Sequence, residues 1–261
     1  MEGASGVIAL VLAETAAGGS AVLWLTGLWG KVKRGFFILT TATVFVCAML
    51  TALAADAART TDSGEPARLV VLLAIGLSAL AGLSLIALIA RRGMVGLVLG
   101  LASVPVGLAL LAAMAWVAES GVAMAAFQLL AGAAFMGAAT VGLLLGHWYL
   151  VDRGLSREHI QRLALVLIGA VLVEAVAVIV GVRGDAAPIE GFSPFLTVGG
   201  GAIQLAIVLG MVGITALIAF LIRAALRETR PRAVQAATGF FYLAVITAFT
   251  AELAAKVRFL G

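Results

Sequence analysis

Residues 69–92 read LVVLLAIGLSALAGLSLIALIARR, an uncharged run closed by two arginines. At about 1.5 Å per residue, Leu69 to Ala90 makes a helix of about 33 Å, close to the ~30 Å hydrocarbon core of a bilayer. The run does not alternate apolar and polar residues, which excludes a membrane-spanning β-strand. Lipid offers the backbone no hydrogen-bond partners, so a run of this kind must satisfy itself as a helix. Working outward, the same pattern recurs through the chain. Eight spans are predicted, at 6–29, 36–58, 69–90, 94–117, 122–150, 163–182, 202–222 and 233–255. Composition agrees: 63% of residues are hydrophobic and 11% charged, whereas a soluble domain carries about 25% charged residues. The expected fold class is an all-α integral membrane protein with eight transmembrane helices.

Arg91 and Arg92 are one of four basic clusters, which fall at every second junction. The others are Lys31, Lys33 and Arg34; Arg153, Arg157 and Arg162; and Arg223, Arg227, Arg230 and Arg232. Together these clusters hold twelve of the 17 lysines and arginines. The remaining five (Arg59, Arg68, Arg183, Lys256 and Arg258) lie among Glu2, Asp62, Glu65, Glu119, Asp185 and Glu190. Basic residues accumulate on the cytoplasmic side of a membrane protein, so both termini are expected on the non-cytoplasmic side of the cell membrane. The net charge of +4 is accounted for by these helix ends and does not point to nucleic acid. The N-terminal Met1-Glu2-Gly3-Ala4-Ser5 has no basic n-region, so no cleaved signal peptide is expected. Cys47, the single cysteine, has no partner for a disulfide within the chain.

The loops are short, which makes sequential helices antiparallel neighbours and leaves no space for an appended soluble domain. The longest, from Arg183 to Gly201, carries Pro188, Phe192, Pro194 and Phe195. It reads either as a cap over the outer face or as an ordinary loop with a short interfacial helix.

The two halves share local strings. Ala115-Trp116-Val117-Ala118-Glu119 matches Ala248-Phe249-Thr250-Ala251-Glu252, and Leu85-Ile86-Ala87-Leu88-Ile89-Ala90-Arg91 matches Leu217-Ile218-Ala219-Phe220-Leu221-Ile222-Arg223. Helices rich in Ala, Leu and Ile also match one another by chance. With either origin, the expected architecture is two four-helix bundles, 1–121 and 122–261. A duplication of four spans gives parallel repeats, related by an axis along the membrane normal.

An ionisable side chain at the centre of a spanning helix costs at least about 2.5 kcal/mol, so each one needs a reason. Counting from the basic ends puts Glu14 about 25 Å above Lys31 and Glu174 about 18 Å above Arg162. Asp56, Glu119 and Glu252 come out near the outer boundary, and Gln128 and Gln204 in the outer quarter of their spans. Glu14, Glu174, Gln128, Gln204, Glu252 and Lys256 are therefore the candidates for a proton pathway or a substrate site in an outward-facing chamber. The acids there are protonated or paired with Lys256, Arg258 or Arg183. Glu252 and Lys256 lie four apart and can pair on their own helix. For Glu14 and Glu174, function and plain interhelical hydrogen bonding stand as equal alternatives.

The fifth span contains Gly142-Leu143-Leu144-Leu145-Gly146-His147-Trp148-Tyr149. Gly132, Ala139, Gly142 and Gly146 form a small-residue stripe that admits a close neighbour. His147 lies about 9 Å inside Arg153. With Trp148 and Tyr149 it forms a candidate quinone site, the imidazole hydrogen-bonding a carbonyl and exchanging its proton while the aromatics pack the ring. The competing reading is an interfacial aromatic belt, to which Trp24 and Trp29 at the same level of the first span belong. The other histidine, His159, sits in the inner loop at a helix start, so a bis-histidine haem is not expected. No metal motif, nucleotide-binding loop or nucleophile elbow occurs. Spans three and four carry little polarity beyond Ser78, Ser84, Ser103 and Pro105, and read as scaffold.

With Ala16-Ala17-Gly18-Gly19-Ser20 in the first span and the closing Ala251-Glu252-Leu253-Ala254-Ala255-Lys256-Val257-Arg258-Phe259, the chain resembles the eight-helix quinol-interacting membrane anchors of the polysulfide and dimethyl-sulfoxide reductase class. That resemblance implies both termini outside, two four-helix bundles, and a quinone without haem or metal. The chain would then be an electron-transport subunit of a respiratory complex, and not a stand-alone enzyme. Its expected partners are the bilayer and either redox subunits or further copies of itself, with no nucleic acid. Two other readings stand beside it: a proton-coupled secondary transporter using Glu14 and Glu174, and an assembly or scaffold protein.

Overall fold

The computed structural model describes residues 3–30, 32–59, 65–118, 121–152, 154–181, 200–228 and 232–260. These form α1 (Gly3–Gly27), α2 (Arg34–Ala57), α3 (Glu65–Ile89), α4 (Gly93–Val117), α5 (Val122–Val151), α6 (Glu158–Val180), α7 (Gly200–Ala225) and α8 (Arg232–Leu260), with no strand among the described residues. All eight are long and apolar enough to cross a membrane. The connection predicted as a cap or an interfacial helix, with Pro188, Phe192, Pro194 and Phe195, lies outside the described residues.

Several helices outrun the apolar stretches that announced them. α3 starts at Glu65, α6 starts at Glu158, and α8 continues to Leu260. The added turns of α3 and α6 are mostly polar, and that of α8 carries Lys256 and Arg258. A helix propagates through backbone hydrogen bonds, one per residue added, and is indifferent to where its apolar run stops. The start of α6 shows this, with the Gln161 amide donating to the Arg157 carbonyl at 3.1 Å.

Consecutive helices pack side by side. α1 also packs on α4, and α5 on α8, so each run of four closes on itself. Between the two quartets the main contact is α1 against α5, flanked by α4 against α5 and α1 against α8. Exchanging the quartets exchanges these two flanking contacts. α1 and α5 are therefore the central helices: 83% and 72% of their most apolar windows are buried, against 33–44% for the other six. Each contributes to both of the apolar cores, as Val11 and Ala13 of α1 and Phe135 and Leu129 of α5 show. On the perimeter, Leu53, Leu72, Ile86, Leu172, Phe220 and Ile246 are exposed.

Small residues set the central crossing. Any side chain at Gly18 would meet the Ala133 carbonyl, and any at Gly137 would meet the Gly18 backbone. Backbones approach this closely only where Cβ atoms are missing or small. The stripe along α5 divides its service between two neighbours: Gly132 faces Glu14 of α1, while Gly142 and Gly146 face Phe241 and Thr238 of α8. Hydroxyl pairs join further helices. Ser20 and Ser103 link α1 to α4 at 2.5 Å, and Thr215 donates to Thr247 at 2.7 Å between α7 and α8. The Ser84 hydroxyl donates to the Gly96 carbonyl at 2.7 Å, tying α3 to α4. Ser84 and Ser103, polar groups of the scaffold helices α3 and α4, thus act as interhelical ties.

Candidate functional site

Three helices bring ionisable groups to one buried place. α1 supplies Glu14, α6 supplies Glu174, and α8 supplies Glu252 and Lys256. Lys256 Nζ lies 2.7 Å from Glu14 Oε1 and 3.1 Å from Glu252 Oε2. The Glu174 carboxyl faces that of Glu252 and lies within electrostatic reach of Lys256 and Glu14. All four residues are essentially sealed: Glu14 and Glu252 are 0% exposed, Lys256 2% and Glu174 3%.

Each position has a local reason. Glu252 and Lys256 are one helical turn apart, so they project from one face of α8. Glu14 leans on α5 where Gly132 leaves room, and a side chain at 132 would strike its carboxyl. Gln204 of α7, itself 4% exposed, donates to the Ala254 carbonyl at 3.1 Å and so fixes the turn of α8 between Glu252 and Lys256. By helical rise Glu174 lies about 9 Å from the end of α6, Glu252 about 12 Å from the end of α8, and Gly132 about 15 Å from the start of α5. The group is thus displaced away from the end carrying Lys33, Arg91 and Arg157. Glu252, placed at a boundary by counting residues, is fully enclosed because α1 packs over that face of α8.

The chemistry rests on a count: among the described residues, three carboxyls surround one ammonium, an excess of two acids in a buried place. Among the described residues, Glu14 Oε2, Glu252 Oε1 and Glu174 Oε2 have no hydrogen-bond partner, and Glu14 Oε1 and Glu252 Oε2 have only the ion-pair contact with Lys256. Excess buried carboxyls are compensated by protons or by a bound cation. Among the described residues, no set of three Asp, Glu, His or Cys side chains is arranged as metal ligands.

The remaining candidates lie elsewhere. Gln128 is half-buried, its amide against Gly181 at the end of α6. His147, Trp148 and Tyr149 do not converge, because consecutive helical residues point about 100° apart. His147 is exposed, and Trp148 is half-buried against Gly35 of α2. Tyr149 is buried, its hydroxyl donating to the Ser156 carbonyl. Tyr149 thereby fastens the start of α6 to the end of α5. Trp24, assigned to a belt from its level, points inward: it is 6% exposed, fills the notch at Gly100 of α4 and stacks on Phe37 at 5.5 Å. Asp56 is exposed and pairs with Arg59.

Near Tyr149, Lys33 pairs with Asp152 at 2.9 Å. These two residues, Gly154, Leu155, Ser156 and His159 line a cavity of about 390 Å³. The hydrogen-bonded Lys33 ammonium holds the Asp152 carboxyl below its ordinary range. Sequence reasoning missed this pair; the signal was a lone acid inside a basic loop. It also left the partner of Glu14 open among three cations, because nothing in the chain marks which levels of α1 and α8 meet. Comparison with protein-family models, with curated proteins and with solved structures finds no match to this chain.

Proposed function

We propose that this chain is a proton-coupled secondary transporter of the cell membrane, with Glu14, Glu174, Glu252 and Lys256 as its proton- and substrate-binding group. In this reading the helices cross the bilayer as two four-helix bundles, 1–121 and 122–261, with the basic ends in the cytoplasm and both termini outside. The site then lies in the outer half of the membrane. One observation carries the proposal: a sealed group with, among the described residues, two more carboxyls than ammonium, drawn from both quartets.

Glu14 belongs to the first quartet, and Glu174, Glu252 and Lys256 to the second. The Glu14–Lys256 pair therefore reports on how the quartets sit against one another. Gly18, where the backbones of α1 and α5 touch, is one turn from Glu14. A proton on Glu14 removes its attraction for Lys256 and frees the quartets to rock about that crossing. Loss of the proton draws them together again. Two states of different proton affinity are what coupling of a gradient to movement requires.

The test is proton flux into proteoliposomes, followed with an enclosed pH dye. Glu14→Gln and Glu174→Gln should each abolish flux that the unaltered protein supports. Flux that persists in both variants overturns the reading.

A second reading, the quinone-interacting subunit of a respiratory complex, rests on one observation. His147 is exposed on α5, open to a quinone arriving from the lipid. Trp148 and Tyr149 are committed to packing and to the start of α6, so His147 would act without them. Redox partner subunits would supply the electrons. Quinone retained through purification and lost in His147→Ala would support it; equal retention in both would count against it.

A further inference from the structure

The buried group is arranged around an ammonium. The two distances at Lys256 Nζ, 2.7 and 3.1 Å, are N–H···O hydrogen-bond lengths. No three acidic, histidine or cysteine side chains among the described residues converge as metal ligands. Around this ammonium stand, among the described residues, three further carboxyl oxygens without a donor: Glu14 Oε2, Glu252 Oε1 and Glu174 Oε2. Glu174 is the most telling, because it is 3% exposed, faces the pair, and makes no direct salt bridge to Lys256 within the 2.7–3.1 Å seen for the other two acids. Buried oxygens lacking donors are destabilising, and a primary ammonium supplies three donors and no acceptor.

Lys256 is also well placed to leave. It lies about 6 Å from the end of α8, within the reach of one lysine side chain. Its ammonium can swing from the acids to the helix end while its methylenes stay on apolar surface. Replacing it by another ammonium leaves the charge of the group unchanged.

We propose that the substrate of this site is a protonated primary amine, whose ammonium takes the place between Glu14 and Glu252 that Lys256 holds in this state. The inference rests on the transport reading above and names its substrate class. Lys256 is then a tethered competitor: it keeps the acids neutralised between substrates and is displaced when one enters.

Two measurements on the full-length protein test this. The first is chemical rescue in detergent. Lys256→Ala should lower the thermal midpoint, and propylammonium chloride should return more than half of the loss in a saturable way. Sodium chloride and tetramethylammonium chloride at equal ionic strength should not. Restoration by sodium chloride as large as that by propylammonium overturns the assignment to amines. The second uses the unaltered chain, and so decides the matter even where Lys256→Ala does not fold. Proteoliposomes should take up labelled putrescine against an imposed pH gradient, above the rate of protein-free vesicles. Glu14→Gln should reduce that uptake at least about tenfold, as loss of one charge-assisted contact implies. No putrescine uptake, alongside proton flux that still depends on Glu14, overturns the amine and leaves proton-coupled transport standing. Proton flux that does not depend on Glu14 overturns both.

Discussion

Two lysine–carboxylate contacts lie toward opposite ends of this molecule and differ in everything but their chemistry. Lys256 is sealed, its side chain 3% exposed, between the fully covered Glu14 and Glu252. Lys33 is open to solvent, 68% exposed, beside Asp152. Water and salt can reach the Lys33 side of the second pair, while the Asp152 side chain is 12% exposed. Nothing replaces the partners of the first. The difference separates a contact that holds a loop from one whose breaking reorganises the interior, and it ranks the effects that substitutions should have.

The largest effect belongs to Lys256. Lys256→Met keeps the volume and removes the charge, leaving three carboxyls with no cation. Breaking a buried pair from one side costs about 3–5 kcal/mol. Unfolding by denaturant in detergent should show a loss of that order. The double change Glu14→Gln with Lys256→Met should recover part of it, because one orphaned charge goes too. A single variant as stable as the unaltered protein would mean that the acids never needed Lys256, and the contrast with Lys33 would collapse.

Next come the glycines that let the quartets meet. Gly132→Ala puts a methyl group against the Glu14 carboxyl, and Gly18→Ala puts one against the Ala133 carbonyl. Overpacking of this kind costs about 1–3 kcal/mol. Gly210→Ala is the control, since nothing lies within 4 Å of the added methyl. It should be neutral or stabilising by up to about 1 kcal/mol through helix propensity. Thermal midpoints of the three variants decide the point. Equal responses would show that the central crossing is looser than the geometry says.

At the basic end the firm tie is Tyr149. Tyr149→Phe keeps the ring and removes the hydroxyl that donates to the Ser156 carbonyl. One part-buried hydrogen bond is lost, which costs about 0.5–1.5 kcal/mol. Hydrogen exchange should speed up in the first turn of α6 and stay unchanged in α3. Unaltered exchange in α6 would remove the structural role given to Tyr149.

These contrasts also mark what the chain discloses before it folds. Residues such as Leu69 to Ala90 announce a helix by length and composition, because a spanning helix is a local event. Which helices become central is less local, although the glycines of α5 hinted at close approach. The side each residue faces was the weakest inference. Trp24 and Trp148 share a level with Trp29, yet Trp24 turns inward to Gly100. Level along a helix follows from counting, whereas direction depends on which neighbour offers a notch. The pairing of Glu14 with Lys256 joins residues near opposite ends of the sequence. It depends on how α1 meets α8, a result of packing that no local pattern encodes. His147, Trp148 and Tyr149 formed a cluster only as letters, since a helix sends neighbours in sequence to different faces.

The smallest effect is expected at Lys33. Lys33→Ala removes an exposed partner from Asp152, and exposed pairs contribute little and are screened by salt. The pH dependence has a definite sign. The Asp152 carboxyl is held below its ordinary range chiefly by the hydrogen bond from Lys33. A depressed carboxyl stabilises the fold above its unfolded value, about 3.9, and that stabilisation is lost as pH falls through the folded value. The unaltered protein and Lys33→Ala should therefore differ slightly and constantly from pH 5 to 8. Their thermal midpoints should converge below about pH 4, and converge again in 1 M salt, where the Debye length is about 3 Å. A gap that survives both treatments would place the Lys33–Asp152 contact in the same class as Lys256, sheltered from water, and would erase the distinction between the two ends.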